Sequence, residues 1–317
     1  MASPFNIQKK VRTMDLSIII ISYNTKDLLL SCVSSIKKNT KKVSYEIIVV
    51  DNASSDGSVE VLKRLGGPEV KVVLNKENFG FAKANNQGIK IAKGRYILLL
   101  NSDTGVEDNI LDEMLGYMEA SSKTGIAGCA LRSKDGSLQA TGGYFPTLPK
   151  VVSWMFFLDD IPLLDRLIKP FHPMHEKSFF YKGEAFFKKA APRDWVTGAF
   201  FLVRRKVLDE IGLLDEDFFM YTEEVDFCYR AKRKGWEVWY LPKWAIVHLG
   251  GASSASEFPI LSEYKGVKIF FKKHMPSWQM PILRILLKIG AVLRIFLFGA
   301  LKGGSYVKVY AKAFQIA

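Results

Sequence analysis

The chain has 317 residues, 48% of them hydrophobic, and 45 Lys/Arg against 32 Asp/Glu give a formal charge of +13. That length buries one large core or two modest ones, and the charge calls for an anionic partner: nucleic acid, anionic lipid or a phosphorylated substrate. Cys32, Cys129 and Cys228 have no C-x-x-C spacing, which argues against a disulfide framework or a thiolate zinc site and for reduced thiols in a cytosolic protein.

Residues 1–14 contain no apolar stretch and read as an N-terminal extension rather than a signal peptide. Five short runs follow, rich in Ile, Val and Leu: "LSIIIISYN" (16–24), "YEIIVVDNAS" (45–54), "VKVVLN" (70–75), "RYILLLNSD" (95–103) and "GIAGCAL" (125–131). Runs of this kind suit parallel strands covered on both faces. Helical spacing occupies 25–38, 57–65, 82–93 and 107–121, each with Asn, Asp or Ser in the four residues before it as a favoured N-cap. Strand–helix alternation predicts a doubly wound α/β sheet with its ligands beyond the carboxyl ends of the strands. The clusters SYN, DNASSD, NKENFG and NSD all fall at those ends.

Residues 144–192 are dense in Phe, Trp, Pro, Lys and His without a clear period, and read as a lid or acceptor-binding insert. Order returns with a strand in "DWVTGAFFLVRR" (194–205), a helix through "VLDEIG", a helix over 221–236, and strands in "EVWYLP" and "AIVHLGG". From Ile260 onward the chain holds ten Lys/Arg and one Glu. On a helix, Arg284, Lys288 and Lys302 fall within roughly 40° of one another and Arg294 about 80° aside, with apolar residues over the rest. This suits a helix of about 280–302 lying on an anionic membrane surface; packing on the catalytic domain or in a homodimer contact is the alternative. No 18-residue run is free of charge, so no clean membrane span is expected, and no nucleic-acid module is present.

An Asp at a strand end caps the next helix as readily as it binds a ligand, but three such clusters on one sheet edge favour a site. Asp51 follows "IIVV" and leads into Asn52, Ser54, Ser55 and Asp56, groups able to bond a base and ribose. Asn78-Phe79-Gly80 lets backbone approach a ligand, since Gly80 lacks a Cβ. Neither G-x-G-x-x-G after the first strand nor G-x-x-x-x-G-K-[ST] occurs, so the usual phosphate cradles are missing. A hard divalent cation held by one or two carboxylates and substrate oxygens is the common substitute, and Asp103 is placed for it.

The ordered segments "SIIIISYN", "IIVVDNASSDGS", "NFGFAKANNQGI", "YILLLNSD", "WVTGAFFLVRR", "YTEEVDFCYR" and "VHLGGAS" resemble glycosyltransferase family 2, and within it the rhamnosyltransferase-like bacterial members, over roughly 15–255. The resemblance implies a GT-A fold: a Rossmann-like, mostly parallel sheet, here with a C-terminal amphipathic helical tail. It implies that Ser22, Tyr23 and Asn24 line a nucleotide pocket, that Asp51 pairs with a pyrimidine base, and that Ser54 and Asp56 lie near it. Asn78, Gly80, Phe81 and Asn85 would flank ribose and diphosphate. Asn101-Ser102-Asp103 takes the place of the D-x-D motif with Asn in its first position, leaving Asp103 and His248 as metal ligands for Mg²⁺ or Mn²⁺. "YTEEVDFCYR" resembles the family's acidic segment, with Glu224 in the base position and Glu223 and Asp226 beside it. All three cannot face one way on a helix, so at least one is expected to pair with a nearby Arg or Lys. Gly198 and Ala199 resemble the small-residue turn beneath the acceptor, and Trp195 is either a platform for a sugar face or a core residue.

The combined reading is a metal-dependent inverting glycosyltransferase, peripheral at the cytoplasmic face of the cell membrane. It would move rhamnose or another deoxyhexose from a dTDP- or UDP-sugar to a lipid-linked (polyprenyl-diphosphate) or polysaccharide acceptor. The alternative is a non-catalytic sugar-nucleotide-binding or scaffold subunit. The expected organisation is 1–14 as extension, 15–131 as nucleotide-sugar half, 132–255 as acceptor and catalytic half containing the 144–192 insert, and 256–317 as basic tail.

Overall fold

The computed structural model describes residues 14–64, 67–158, 161, 171, 184–250 and 257–317. The extension, much of the insert and residues 251–256 therefore lie outside the described residues.

In the first half, β1 (Leu16–Ser22), β2 (Tyr45–Asp51), β3 (Val70–Leu74) and β4 (Tyr96–Asn101) alternate with α1 (Lys26–Asn39), α2 (Ser58–Arg64) and α3 (Gly80–Ile91). Then come β5 (Thr104–Gly105), α4 (Ile110–Ala120), β6 (Thr124–Arg132), the short β7 (Leu138–Gln139) and β8 (Gly142–Gly143), and α5 (Leu148–Phe156). The second half contains β9 (Ala191–Pro192), β10 (Trp195–Val196), β11 (Phe200–Arg204), α6 (Arg205–Ile211), α7 (Glu223–Arg233) and β12 (Glu237–His248). Three helices end the chain: α8 (Phe258–His274), α9 (Gln279–Lys302) and α10 (Gly304–Ile316).

The sheet runs β3-β2-β1-β4-β11-β6-β12-β5. Strands β1 to β4 are mutually parallel, as expected from their continuous apolar runs. Between β4 and β6, however, β11 inserts antiparallel to β4, with Phe200 opposite Leu100. The mostly parallel sheet is thus mixed at its centre. The two strands expected after residue 236 are one, β12, which stays paired with β6 on both sides of Pro242 by slipping register between Leu241 and Ala245. A bulge accommodates the proline, which has no N–H for the ladder.

Alternation along the strands sends side chains to two cores. Ile18, Ile20, Val49 and Leu98 pack with α1 and α4, while Ile19, Val50, Ile97 and Leu99 pack with α3, α7 and the C-terminal helices. Fully covered faces explain why these strands read as unbroken apolar runs. The expected N-caps hold only in part. Asp56 and Asn78 accept the Ser58 and Gly80 amides from one position upstream of the cap, whereas Thr25 and Asn109 make no side-chain cap bond. All three cysteines are buried and free.

Candidate functional site

Strand register brings the polar clusters together. Ser22 ends β1 opposite Asp51, and Ile21 stands opposite Asn101. From the far side of the sheet, β12 pairs with β5 and sets His248 against Thr104, so His248 reaches the Asn101–Asp103 turn across about 145 residues of sequence. A cavity of 340 Å³ opens here, walled by Ile21, Tyr23, Asn52, Asn78, Phe81, Asn101, Ser102, Asp103, Phe219, Met220 and Phe258.

At one edge of the cavity, Asp103 Oδ1 lies 3.4 Å from His248 Nε2, and Asn101 Nδ2 lies 3.4 Å from the same nitrogen. Gln139 decides what that nitrogen is. Its amide Nε2 donates to the His248 carbonyl at 2.8 Å and to Ser133 Oγ at 3.1 Å, which fixes the amide's orientation. Its Oε1 therefore faces His248 Nδ1, at 2.7 Å, and can only accept. Nδ1–H donates to that oxygen, which leaves Nε2 facing Asp103 Oδ1 and the Asn101 amide. With Nε2 unprotonated, the nitrogen and the carboxylate oxygen together offer two ligand atoms to a cation. A carboxylate and an imidazole suit Mn²⁺ or Mg²⁺ with substrate oxygens completing the shell. Among the described residues no cluster of three or more His, Cys, Asp or Glu could hold a metal without such help.

Several predicted residues brace loops, and of these Ser102 alone is also part of the cavity wall. Asn24, in the left-handed region at φ 54°, donates its amide to Ser54 Oγ and accepts from the Ser55 amide. Asp56 Oδ2 accepts the Lys26 amide, and Ser22, Thr25 and Ser102 form a hydroxyl chain. Asn85 is buried in α3 and donates to the Phe81 carbonyl. Asp51 is wholly buried; Oδ1 accepts the Ser54 amide, and Oδ2 has no partner among the described residues.

Gly80 is required for a different reason from the one expected. At φ +77°, a Cβ there would lie 2.3 Å from the Phe219 carbonyl, which also accepts the Phe81 amide at 2.7 Å. The close approach is thus made by this chain's own 217–222 loop, which carries Phe219 and Met220 onto the cavity. Sequence reasoning missed Phe219, Met220 and Phe258. Asn52, named in the strand-end cluster after Asp51, does line the cavity, and its Nδ2 donates to the Gly80 carbonyl.

The acidic segment divides by face. Glu223 is buried at the start of α7, with Oε1 4.0 Å from the position a Gly198 Cβ would take; that same position is 3.1 Å from the Phe81 ring. Burial first, and then the charge of Glu224 and a hydrogen bond to it, push the Glu223 carboxyl well above the usual range. Asp226 faces away from the cavity, bonded to Arg230 at 2.8 Å and His274 at 2.6 Å. Burial alone would raise its carboxyl, but these two partners hold it below the ordinary value. The expectation that Asp226 is catalytic gives way to the structural pairing. Trp195 is a core residue, 2% exposed, with its indole N–H directed at the Tyr144 carbonyl, so its face cannot support a sugar. Ala199 is buried in the sheet, its carbonyl accepting the Asn101 amide.

A second cavity of 460 Å³ is lined by Arg230, Arg233, Lys234, Lys273 and His274, with Glu210, Ile211 and Tyr229. Here α6, α7 and α8 all end. Cations gathered where three helix C-termini converge complement the helix dipoles.

The model for glycosyl transferase family 2 matches residues 17–212. The chain is 23% identical to an N-acetylglucosaminyl-diphospho-decaprenol L-rhamnosyltransferase of Mycobacterium tuberculosis, over 84% of this chain and 87% of that protein. It is 35% identical to the Escherichia coli UDP-Glc:alpha-D-GlcNAc-diphosphoundecaprenol beta-1,3-glucosyltransferase WfaP, over 32% of this chain and 41% of that one. Among solved structures it resembles the mannosyltransferase PcManGT from Pyrobaculum calidifontis in complex with GDP-Man and Mn²⁺, with a TM-score of 0.56 at 15% identity, covering 97% of this chain and 81% of that one. With 196 of its residues inside the family model and this fold around the strand-end cavity, the chain belongs to glycosyl transferase family 2 and is a glycosyltransferase.

Proposed function

We propose that this enzyme is metal-dependent and inverting, and moves rhamnose or another deoxyhexose from a dTDP- or UDP-sugar to a lipid-linked polyprenyl-diphosphate or polysaccharide acceptor. The observation that carries the reading is the Asp103 Oδ1–His248 Nε2 pair, 3.4 Å apart at the cavity edge, with the nitrogen's lone pair set by Gln139. A divalent cation held there supplies Lewis-acid stabilisation to the leaving diphosphate. Asp51, next to the lining residue Asn52, has a buried, unpartnered Oδ2 that would serve as acceptor for a pyrimidine N–H once the 51–54 turn opened to it.

Glu224 takes the proton as the acceptor hydroxyl oxygen bonds to the anomeric carbon. The bond from that carbon to the diphosphate breaks, and its electron pair leaves with the nucleoside diphosphate. A single displacement inverts the centre. Burial and the neighbouring Glu224 raise the Glu223 carboxyl, which favours its neutral form beside the base. The relative in Mycobacterium tuberculosis acts on a diphospho-decaprenol acceptor, which supports the lipid-linked choice.

The test is a thermal-shift screen of nucleotide sugars with and without Mn²⁺ or Mg²⁺, followed by product analysis. A dTDP- or UDP-sugar should stabilise the protein only together with metal, and its anomeric configuration should invert on transfer. Equal binding and transfer in chelator would overturn the reading.

A further inference from the structure

Helix α9 is locked to the protein on one side only. Leu283, Leu287 and Ala291 are fully buried, and a Cβ on Gly290 would meet Met155 Sδ at 2.2 Å, so α9 and α5 touch closely. Arg294, expected on the outer basic stripe, points inward: it is 2% exposed and donates to the Trp154 carbonyl at 2.7 Å and the Met155 carbonyl at 2.8 Å. The side chain of Lys302 lies outside the described residues. What remains outside is an apolar arc of Ile282, Ile285, Ile289, Leu293, Phe296 and Leu301, with Phe296 72% exposed. Trp278 continues it at the N-terminal end, 62% exposed. Along one margin of this arc run Arg284 and Lys288, both exposed.

We infer that this outer face of α9 rests on an anionic lipid bilayer, with its apolar arc in the acyl boundary and Arg284 and Lys288 on lipid phosphates. Apolar residues occupy about half of the helix circumference and cations border them, which is the distribution of an interfacial helix. Among the described residues no helix is long and apolar enough to cross a membrane. Charge decides between a bilayer and a second copy of the chain. From 257 to 317 the only acids are Glu257 and Glu263, and Glu257 is already bonded to Lys312. Two copies joined by this face would bring cation to cation with no acid to receive them. The crowding is visible on the neighbouring helix, where burial and then the charges of Arg284 and Lys288 hold the Lys268 ammonium below its usual value. The inference uses no part of the nucleotide site and stands apart from the reading of donor or metal.

The test is flotation of the full-length protein with vesicles of phosphatidylglycerol and phosphatidylcholine, or of phosphatidylcholine alone, at low and high salt. Ile285→Ser/Ile289→Ser/Phe296→Ser should lower binding to both vesicle types by at least about tenfold, since each change removes an exposed apolar side chain. Arg284→Ser/Lys288→Ser should lower binding to the anionic vesicles about 30-fold at low salt, roughly fivefold per cation, and leave neutral vesicles unaffected. All five positions are exposed, so both variants should melt as the parent does. Undiminished vesicle binding by the apolar variant would overturn the inference. So would a full-length protein that ignores anionic vesicles at low salt and sediments as a dimer that the apolar variant dissociates.

Discussion

Gln139→Leu tests the metal side of the site without touching a ligand. The substitution keeps side-chain bulk but removes the carbonyl oxygen that meets His248 Nδ1 at 2.7 Å and the amide that meets the His248 carbonyl at 2.8 Å. The imidazole is then free to turn or to move its proton to Nε2. Each such bond has a net worth of about 0.5–1.5 kcal/mol. Loss of both predicts about 1–3 kcal/mol in cation affinity, or roughly 5- to 150-fold, which brackets the 10–100-fold typical of residues that orient a metal-bound histidine. The assay is titration of Mn²⁺ in the presence of a nucleoside diphosphate, with free Mn²⁺ followed by electron paramagnetic resonance. Gln139→Glu keeps an acceptor for Nδ1–H and should recover much of the lost affinity. Parental Mn²⁺ affinity in Gln139→Leu, alongside a large loss in His248→Ala, would refute the tautomer argument.

Asp103→Ala should abolish metal-dependent nucleotide binding, and EDTA should stop transfer by the parent until Mn²⁺ or Mg²⁺ is restored; calorimetry and a transfer assay read the two. Glu224→Gln should lower turnover about 100-fold or more with donor binding retained, whereas Asp226→Asn should lower the melting temperature before it affects chemistry. The pH dependence should separate the carboxyls by sign. Asp226, held low in the fold, contributes stability that is present at neutral pH and lost as pH falls through its lowered value. Glu223, held high, does the reverse: the parent should lose stability as pH rises from the ordinary carboxylate range toward the raised value, and Glu223→Gln should flatten that decline in a series of thermal melts.

The first half of the chain was legible because its information is local. A strand covered on both faces must be apolar throughout, and where it leaves the sheet it must turn polar, so "LLLNSD" shows both the element and the site. The second half depends on pairings that no short window contains. Nothing in "GAFFLVRR" says that β11 enters antiparallel between β4 and β6, and Pro242 argues locally against the single strand that a register slip preserves. The cavity wall follows the same division. Tyr23, Asn78, Phe81 and Asp103 follow their own strands, while Phe219 and Phe258 arrive from segments more than 130 residues away in sequence from Asn78. Gln139 has no sequence signature at all; its role exists only because β7 lies beside β6 and sets it against the end of β12. On α7 the helical period showed that the acids must diverge, but not that His274, 48 residues on, would claim Asp226.

The inward turn of Arg294 bears on how a soluble form of this enzyme can be made. A basic, apolar C-terminal helix invites removal. Here the guanidinium closes the carbonyl end of α5, lies over the Phe157 ring at 4.4 Å, and belongs to a helix that covers Trp154 and Met155. Ending the chain before α9 would leave two carbonyls without their donor and uncover part of the core that also supports α7. Solubility should therefore be sought by polar replacement at Ile285, Ile289 and Phe296, with the chain kept at full length.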